Sequence, residues 1–477
     1  MQFIEKESAI FIQSGQSIPI AEKVDVLVCG GGPAGIAAAI TAARNGASTL
    51  LVERAGFLGG TATGSMMGLI TIPFKELAGF PKEFFGLLAS EHGAGTSRVV
   101  PWDIEKYKFV AEDLALKAGV KLLFHTIVSE SLIDGNSLKG VIVENKSGRS
   151  AILAKTVVDT TGDADVAARA GVPFVKGREK DGAMRPVTVM GLISNVDLKK
   201  VKAWIDSNPE DFGKDPGRRV FDLNEKEGLI RIDGFFSIIE KAKKIGLLEQ
   251  SSPMNYLRFS AIVHPKHYEH ADLVINCTRV YDVDGTNGFD VTRGEIEGRR
   301  QLRDAVKICQ NLLLGFEESY LIQSSSYLGI RETRRIKGNY TLVYDDVANK
   351  RHFSDSIAVI TSTNYGTAEV HSPDRGHEGS AGDVWAREMV LELTKFEFPV
   401  RCMLPEGYSN LIVAGRCASV THEVDTYTRN MGPIGVVGQA AGTLAAVMSK
   451  KENPDWNNIP IKEVQDLLIG QGSPVNV

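Results

Sequence analysis

Cysteine is scarce in this chain and has no partners in sequence. There are five in 477 residues, Cys29, Cys277, Cys309, Cys402 and Cys417, and no Cys-x-x-Cys occurs. An odd count at wide spacing argues against a disulfide framework and a structural zinc site, and it points to a reducing, cytoplasmic setting. Aromatic residues are also sparse, at 7%. Neither charge dominates: 54 Lys and Arg face 59 Asp and Glu, for a net charge of −5. Without a basic excess, neither nucleic acid nor an anionic membrane is an expected partner. No apolar run approaches the ~18 residues of a membrane span. The opening MQFIEKESAIFIQSG lacks the basic region and apolar core of a signal peptide. The local charge runs KKVK (Lys199–Lys202) and EKAKK (Glu240–Lys244) read as solvated helix faces.

Glycine, by contrast, is abundant, with 48 residues, and the length suffices for two or three domains sharing a large core. VDVLVCG (Val24–Gly30) is a short apolar run that meets a glycine cluster, as a buried parallel strand does. GGGPAGIAAAITAARNG follows, an Ala-rich helix ending near Asn45 with Gly46 as its C-cap. The next strand, STLLVER, ends in Glu53. In this unit Gly30 permits a tight turn and Gly32 lets a pyrophosphate approach the backbone. Gly35 lets helix and strand pack closely, and the helix opened by Pro33 and Ala34 offers free N–H groups. Glu53 lies 53 − 30 = 23 residues after the first glycine, where an acid accepts hydrogen bonds from a ribose. The glycine triplet alone is weak evidence; set between two strands, with a helix and an acid in place, it is strong.

A second glycine cluster, AGFLGGTATG (Ala55–Gly64), follows the acid directly. Here the chain resembles the glutathione-reductase-like class of FAD proteins, matching at Glu53, Arg54, Gly59, Gly60 and Thr61. Two further stretches extend the likeness. One is AILAKTVVDTTGDADVAARAG (Ala151–Gly171), with Thr161, Gly162 and Asp163. The other is NLIVAGR (Asn410–Arg416), with Gly415 and Arg416, followed by the helical NMGPIGVVGQAAGTLAA. The resemblance implies that these strand ends approach the pyrophosphate and ribitol, that Val128 also contacts the cofactor, and that the late helix, through Gly432, Ile434 and Gly435, aims its N-terminus at the flavin. GGGPAG, TGDADVAARAG, GIRETRRI and NLIVAGRC together resemble a bacterial branch of FAD-dependent oxidoreductases. The cofactor implied is FAD, and no metal is expected.

The expected fold is α/β. A glutathione-reductase-like Rossmann FAD domain is built from residues 20–190, with 64–102 as an excursion over the flavin or toward a partner, and from 396–450. A mixed α+β substrate domain is inserted at 191–395, and 451–477 form a tail. The insertion shows no second G-x-G-x-x-G. The electron donor or acceptor is then a small molecule, a loosely docked nicotinamide or another protein, and a homo-oligomer stays open.

Three constellations in the insertion carry chemistry. GIRETRR places Arg331, Arg334 and Arg335 within five residues, suited to a carboxylate or phosphate or, alternatively, to internal ion pairs with acids such as Glu295 and Glu297. HPKHYEH spaces His264, His267 and His270 by three, which reads as surface histidines before it reads as a metal site. TSTNYGTAEVHSPDRGHEGS carries His371 and His377. His371 is the first choice for a base that takes a substrate proton, and His422 the second; Tyr365 and Arg429 are weaker candidates. Cys417 reads as a packing residue. The function expected is hydride transfer between a small organic substrate and flavin N5, with Arg331 or Arg335 orienting an anionic group. A flavin monooxygenase or halogenase and an electron-transfer subunit are the alternatives.

Overall fold

The computed structural model describes residues 3–5, 11–13, 17–70, 72–95, 100–212, 221–224, 229–263, 265–363, 371–374, 393–452 and 454–477. Its first layer is a seven-stranded sheet. Strands Lys121–Leu123, Thr49–Val52, Ile20–Cys29 and Gly148–Asp159 lie side by side in that order, all parallel. The last of these strands is shared. Its first half pairs antiparallel with Ser137–Asn145, which pairs in turn with Ile127–Asp134. Its second half pairs parallel with Leu411–Val413. The carboxyl ends of five parallel strands therefore meet along one edge, which is where open α/β sheets bind ligands.

Alternation along the central strands explains why this sheet is covered on both faces. Val26, Val28, Val158 and Ile412 enter the large core around the helices Pro33–Arg44 and Met431–Ser449. Leu27, Cys29, Val157, Leu411 and Val413 enter a smaller core on the other face. Helix Met431–Ser449 is the one helix among the described residues long and apolar enough to cross a membrane, yet 94% of that stretch is buried inside the protein. The excursion joins the same core. Phe80, Phe84 and Phe85 of helix Gly79–Ser90 pile against Trp102 and Tyr107, and the indole N–H of Trp102 donates to the Ala62 carbonyl at 3.1 Å.

The second layer is a six-stranded antiparallel sheet ordered Phe221–Asn224, Leu229–Gly234, Leu257–Ile262, Ala271–Ile275, Gly191–Val196, Tyr320–Ser324. Helices Leu198–Ser207, Phe236–Lys244 and Gly288–Leu312 cover one face, and the core they form extends in sequence from Val187 to Ile330. Lys199, Lys200, Lys202 and Lys244 are exposed, as solvated helix faces require. The inserted domain is shorter than the expected 191–395. Strand Arg334–Ile336 pairs with Phe174–Lys176, and Leu342, Val347, Ile357 and Ile360 already belong to the first core. The segment after Ile330 alternates short strands and helices as the insertion does, so pattern alone hid the return.

Helices Pro33–Arg44 and Met431–Ser449 touch backbone to backbone. A Cβ on Gly438 would collide with the Ala34 carbonyl oxygen, and one on Gly442 with that of Ala38. The Thr41 hydroxyl donates across the contact to the Gln439 carbonyl at 3.2 Å. Gly438→Val is therefore expected to destabilise the fold by about 1–3 kcal/mol through overpacking, read by urea denaturation. Gly470→Ala, where a Cβ meets nothing within 4 Å, is expected to stay within about 0.5 kcal/mol of the parent.

Candidate functional site

The glycine turn after the first strand is held by its neighbours. Gly30 has φ +106°, and a Cβ there would lie 2.5 Å from the Thr160 carbonyl oxygen, so only glycine fits. The Gly31 N–H donates to one carboxylate oxygen of Glu53 at 2.6 Å, and the Ala55 N–H donates to the other at 2.8 Å. Glu53 is thereby fixed at the end of its strand. A Cβ on Gly35 would strike the Gly30 carbonyl, so helix and turn are in contact there. Gly32 is different: a Cβ on it would meet nothing within 4 Å. The turn is packed everywhere except on the side where a ligand would approach.

Three distant pieces close on the same point. The Gly59 N–H donates to the Gly31 carbonyl at 2.8 Å, and a Cβ on Gly60 would lie 2.9 Å from the Gly32 Cα. Thr160 donates its hydroxyl to the Gly30 carbonyl at 2.8 Å. Gly415, at φ +100°, faces Ala34. The two central helices run parallel, since Gly438 stands on Ala34 and Gly442 on Ala38. The late helix therefore overhangs the start of the early one by roughly 9 Å, six residues at the rise of a helix. Neither helix has a side-chain cap or an acid in its first turn. Two uncapped positive helix ends thus lie toward one side.

Several residues expected at the cofactor also brace this arrangement. The Arg416 guanidinium donates to the carbonyls of Gly162 (2.6 Å) and Ile330 and to the Asp163 carboxylate, which also accepts from the Thr333 hydroxyl at 2.6 Å. Thr161 donates its hydroxyl to Asp159 at 2.7 Å and accepts from the Asp165 N–H at 2.9 Å. Val128 is buried opposite Val143. Arg54 lies over the Tyr327 ring at 5.3 Å, and the Tyr327 hydroxyl donates to the Gly60 carbonyl at 2.7 Å. Thr61 accepts the Met67 N–H at 3.1 Å. Ile434 is partly exposed, while Gly432 and Gly435 face Leu77 and Pro81 of the excursion. The Cys417 thiol is buried and donates to the Ala414 carbonyl at 3.7 Å, and burial pushes its pKa up, away from thiolate chemistry.

The motif GIRETRR is divided in the structure. Arg335 is fully enclosed and donates to the carbonyls of Val420 (2.9 Å) and Gly177 (2.8 Å), to Glu179 (3.2 Å) and to Glu332. Glu332 also binds Arg185 at 3.2 Å and His422 Nδ1 at 2.8 Å, and Arg185 reaches Asp425 at 2.9 Å. Arg335 and His422 therefore sit inside a buried ion network, which corrects the expectation of a ligand-facing Arg335 and of His422 on the cradle's rim. The partners of this network are Glu332, Asp425 and Glu179. Glu295 and Glu297 pair with Arg299 and Arg293 along their own helix. Burial raises the Glu332 carboxyl, but the His422 hydrogen bond and the Arg185 and Arg335 charges outweigh it and hold the pKa at about 2, against an ordinary 4.5. Asp425, buried beside the same Arg185, is pushed up by its burial.

Arg331 leaves the network and donates to the Pro186 carbonyl. Its charge acts on His371, a partly buried histidine whose backbone has φ +58°, a conformation uncommon for side-chain-bearing residues. Burial, and then the charges of Arg331, Arg429, Arg279 and Arg258, hold its imidazole well below the ordinary range. Sequence reading missed Arg258, Arg279 and Tyr256, which no local motif announces. His267 and His270 are exposed, the latter 2.7 Å from the Asn195 amide oxygen. His264, Tyr365 and His377 lie outside the described residues.

A family model described as FAD dependent oxidoreductase matches residues 25–468. The chain belongs to that family. FAD is its cofactor, and the cradle fits it: the open side of Gly32 and the uncapped early helix suit the pyrophosphate, Glu53 the ribose, and the overhanging late helix the flavin. Over 162 residues the chain is 32% identical to the thiamine thiazole synthase of Methanococcus vannielii, covering 30% of this chain and 58% of that protein. The corresponding enzyme of Methanococcus maripaludis is 29% identical over 147 residues, 29% of this chain and 56% of that protein. The matched region thus spans little more than half of those relatives. Among solved structures, a geranylgeranyl bacteriochlorophyll reductase-like protein from Thermoplasma acidophilum superposes with TM-score 0.47 at 13% identity, covering 95% of this chain and 84% of that one. A p-nitrophenol 4-monooxygenase from Pseudomonas putida gives 0.43 at 12%, covering 94% and 84%.

Removing one charge from a buried pair leaves the others uncompensated, so Glu332→Gln is expected to cost about 3–5 kcal/mol at neutral pH. The Glu332 pKa is lowered in the folded state, so its stabilisation is fully present above about pH 4.5 and fades as pH falls toward 2. The stability gap between parent and variant, followed by denaturant titration across that window, is expected to narrow with acid.

Proposed function

We propose that this protein is an oxidoreductase that transfers a hydride between a small organic substrate and FAD, bound in the glutathione-reductase-like manner, with His371 moving the accompanying proton. When bound, FAD supplies a two-electron acceptor. In the oxidative direction the substrate carbon would release a hydride to it, while the imidazole of His371 would accept the proton from the attached hydroxyl or amine. The substrate thereby loses two electrons and two hydrogens in one step. The overhanging helix Met431–Ser449 stabilises the negative charge the cofactor gains, through its dipole and free N–H groups. The electron partner that completes the cycle is a small molecule, a docked nicotinamide or a second protein.

The carrying observation is the position and state of His371. Its neighbours are joined to the cradle from two sides. Arg331 follows Ile330, whose carbonyl is held by Arg416. Leu328 accepts from the Ser65 hydroxyl at 3.2 Å. The Arg258 carbonyl accepts from the Asn276 N–H at 2.9 Å, and the Asn276 amide reaches the Met67 sulfur at 3.9 Å. Ser65 and Met67 continue the loop of Gly59 and Gly60. With its pKa depressed, His371 is proton-free at neutral pH and available as an acceptor.

The test is anaerobic flavin bleaching against a panel of alcohols, amines and hydroxy acids. One class is expected to reduce the parent, and His371→Gln is expected to slow that reduction by about a hundredfold or more while retaining FAD. Undiminished reduction in the variant would remove His371 from the proton step.

A further inference from the structure

The loop that closes over the glycine turn is short of side chains. Between Gly56 and Gly68 it also carries Gly59, Gly60 and Gly64, and Gly59 and Gly60 follow one another at φ +113° and +53°. Such a segment has little packing of its own and loses much backbone entropy on folding, so contacts from outside decide where it rests. Three of those contacts come from consecutive residues at the end of the inserted domain. The Ser326 N–H donates to the Gly64 carbonyl at 2.8 Å, and the Leu328 carbonyl accepts from the Ser65 hydroxyl at 3.2 Å. Between them in sequence, the Tyr327 hydroxyl donates to the Gly60 carbonyl at 2.7 Å.

Tyr327 is itself built in from several sides. Its ring rests on Gly64, where an added Cβ would lie 2.2 Å from a ring carbon. The Phe57 ring is parallel to it within 4°, with centroids 6.4 Å apart, and the Arg54 guanidinium carbon stands 5.3 Å from its centroid. The Lys108 ammonium, on the helix Ile104–Lys117, lies 4.4 Å from the Phe57 centroid. Two rings and two cations thus join three segments of the chain. Burial, and then the charge of Glu53, push the Tyr327 phenol up, so the hydroxyl keeps its proton at neutral pH and stays a donor. The Gly60 carbonyl also accepts the Gly64 N–H at 2.8 Å, but that bond lies within the loop and moves with it. The bond from Tyr327 ties the Gly60 peptide to the inserted domain. Gly60 in turn abuts Gly32, where the glycine turn is open to a ligand.

We propose that Tyr327 is a positioning residue for the cofactor: by anchoring Gly60 against Gly32 it fixes the rim of the pyrophosphate site and slows the release of FAD. The inserted domain thereby takes part in retaining the cofactor, apart from any contact with a substrate. This rests on FAD lying in the cradle and not on the hydride-transfer reading.

Two readouts need no turnover. Dilution of the holoenzyme, followed by free-flavin fluorescence, gives the rate of FAD release, and phosphorus NMR of bound FAD reports on the pyrophosphate. Tyr327→Phe keeps the ring and removes the donor. It is expected to speed release about fivefold, as loss of one hydrogen bond does, and to shift the bound phosphorus resonances. Tyr408→Phe removes a comparable bond, to the Ala170 carbonyl beside the smaller core, and is expected to leave both readouts at parent values. Ser65→Ala cuts another tie between the same two segments without touching Gly60, and is expected to leave the phosphorus resonances in place. Where Tyr327→Phe is recovered without flavin, Phe57→Leu replaces it, keeping the hydroxyl but loosening its ring; about twofold faster release and shifted phosphorus resonances are expected. Parent-like release and resonances in FAD-loaded Tyr327→Phe, or in Phe57→Leu in its place, would overturn the proposal. Phosphorus shifts of equal size in Ser65→Ala or Tyr408→Phe would overturn it too, because they would trace the effect to general loosening of the fold.

Discussion

The contact between helices Pro33–Arg44 and Met431–Ser449 sets the geometry of the cofactor site. Glycines at 438 and 442 let one helix backbone rest on the other, and parallel packing brings both amino ends to the same side. Two parallel dipoles with uncapped positive ends repel each other. That disposition is unfavourable on its own and becomes favourable when an anionic group lies across both ends. On the proposed reading the pyrophosphate would lie at the start of the early helix, and the start of the late one, roughly 9 Å further out, would face the charge of reduced flavin. Gln439, on the same late helix, accepts the Phe80 N–H at 2.8 Å, so the aromatic excursion takes its position from this contact as well.

A second constraint fixes how the last cofactor segment meets the inserted domain. Arg185, Glu332, Arg335 and Asp425 bring two positive and two negative groups into a region closed to water. Desolvation consumes much of the attraction in such a network, so its value lies in position more than in stability. It pins the chain just after Ile330 against the segment 420–426. With Glu332 held inward, the adjacent Arg331 is directed toward Pro186. The Arg416 fork does the same for the strand end, tying Gly162, Asp163 and Ile330 to one guanidinium.

The sequence made the nucleotide turn legible because the chemistry there acts through backbone. A turn that places Gly30 against Thr160 tolerates no other residue, and a helix start left open at Gly32 keeps that side clear for a ligand, so glycine spacing records the geometry directly. The arginines and histidines were not legible in the same way. Arg331 and Arg335 are four apart and chemically alike, and only the fold sends one to the Pro186 carbonyl and the other to Glu332. His422 follows the strand that ends in the cradle, yet its imidazole turns to Glu332. Arg258, Arg279 and Tyr256 were overlooked because an antiparallel ladder, not a motif, brings strand Leu257–Ile262 beside Ala271–Ile275. The domain boundary failed for a related reason, since residues 334–363 return to the first core without any change in pattern.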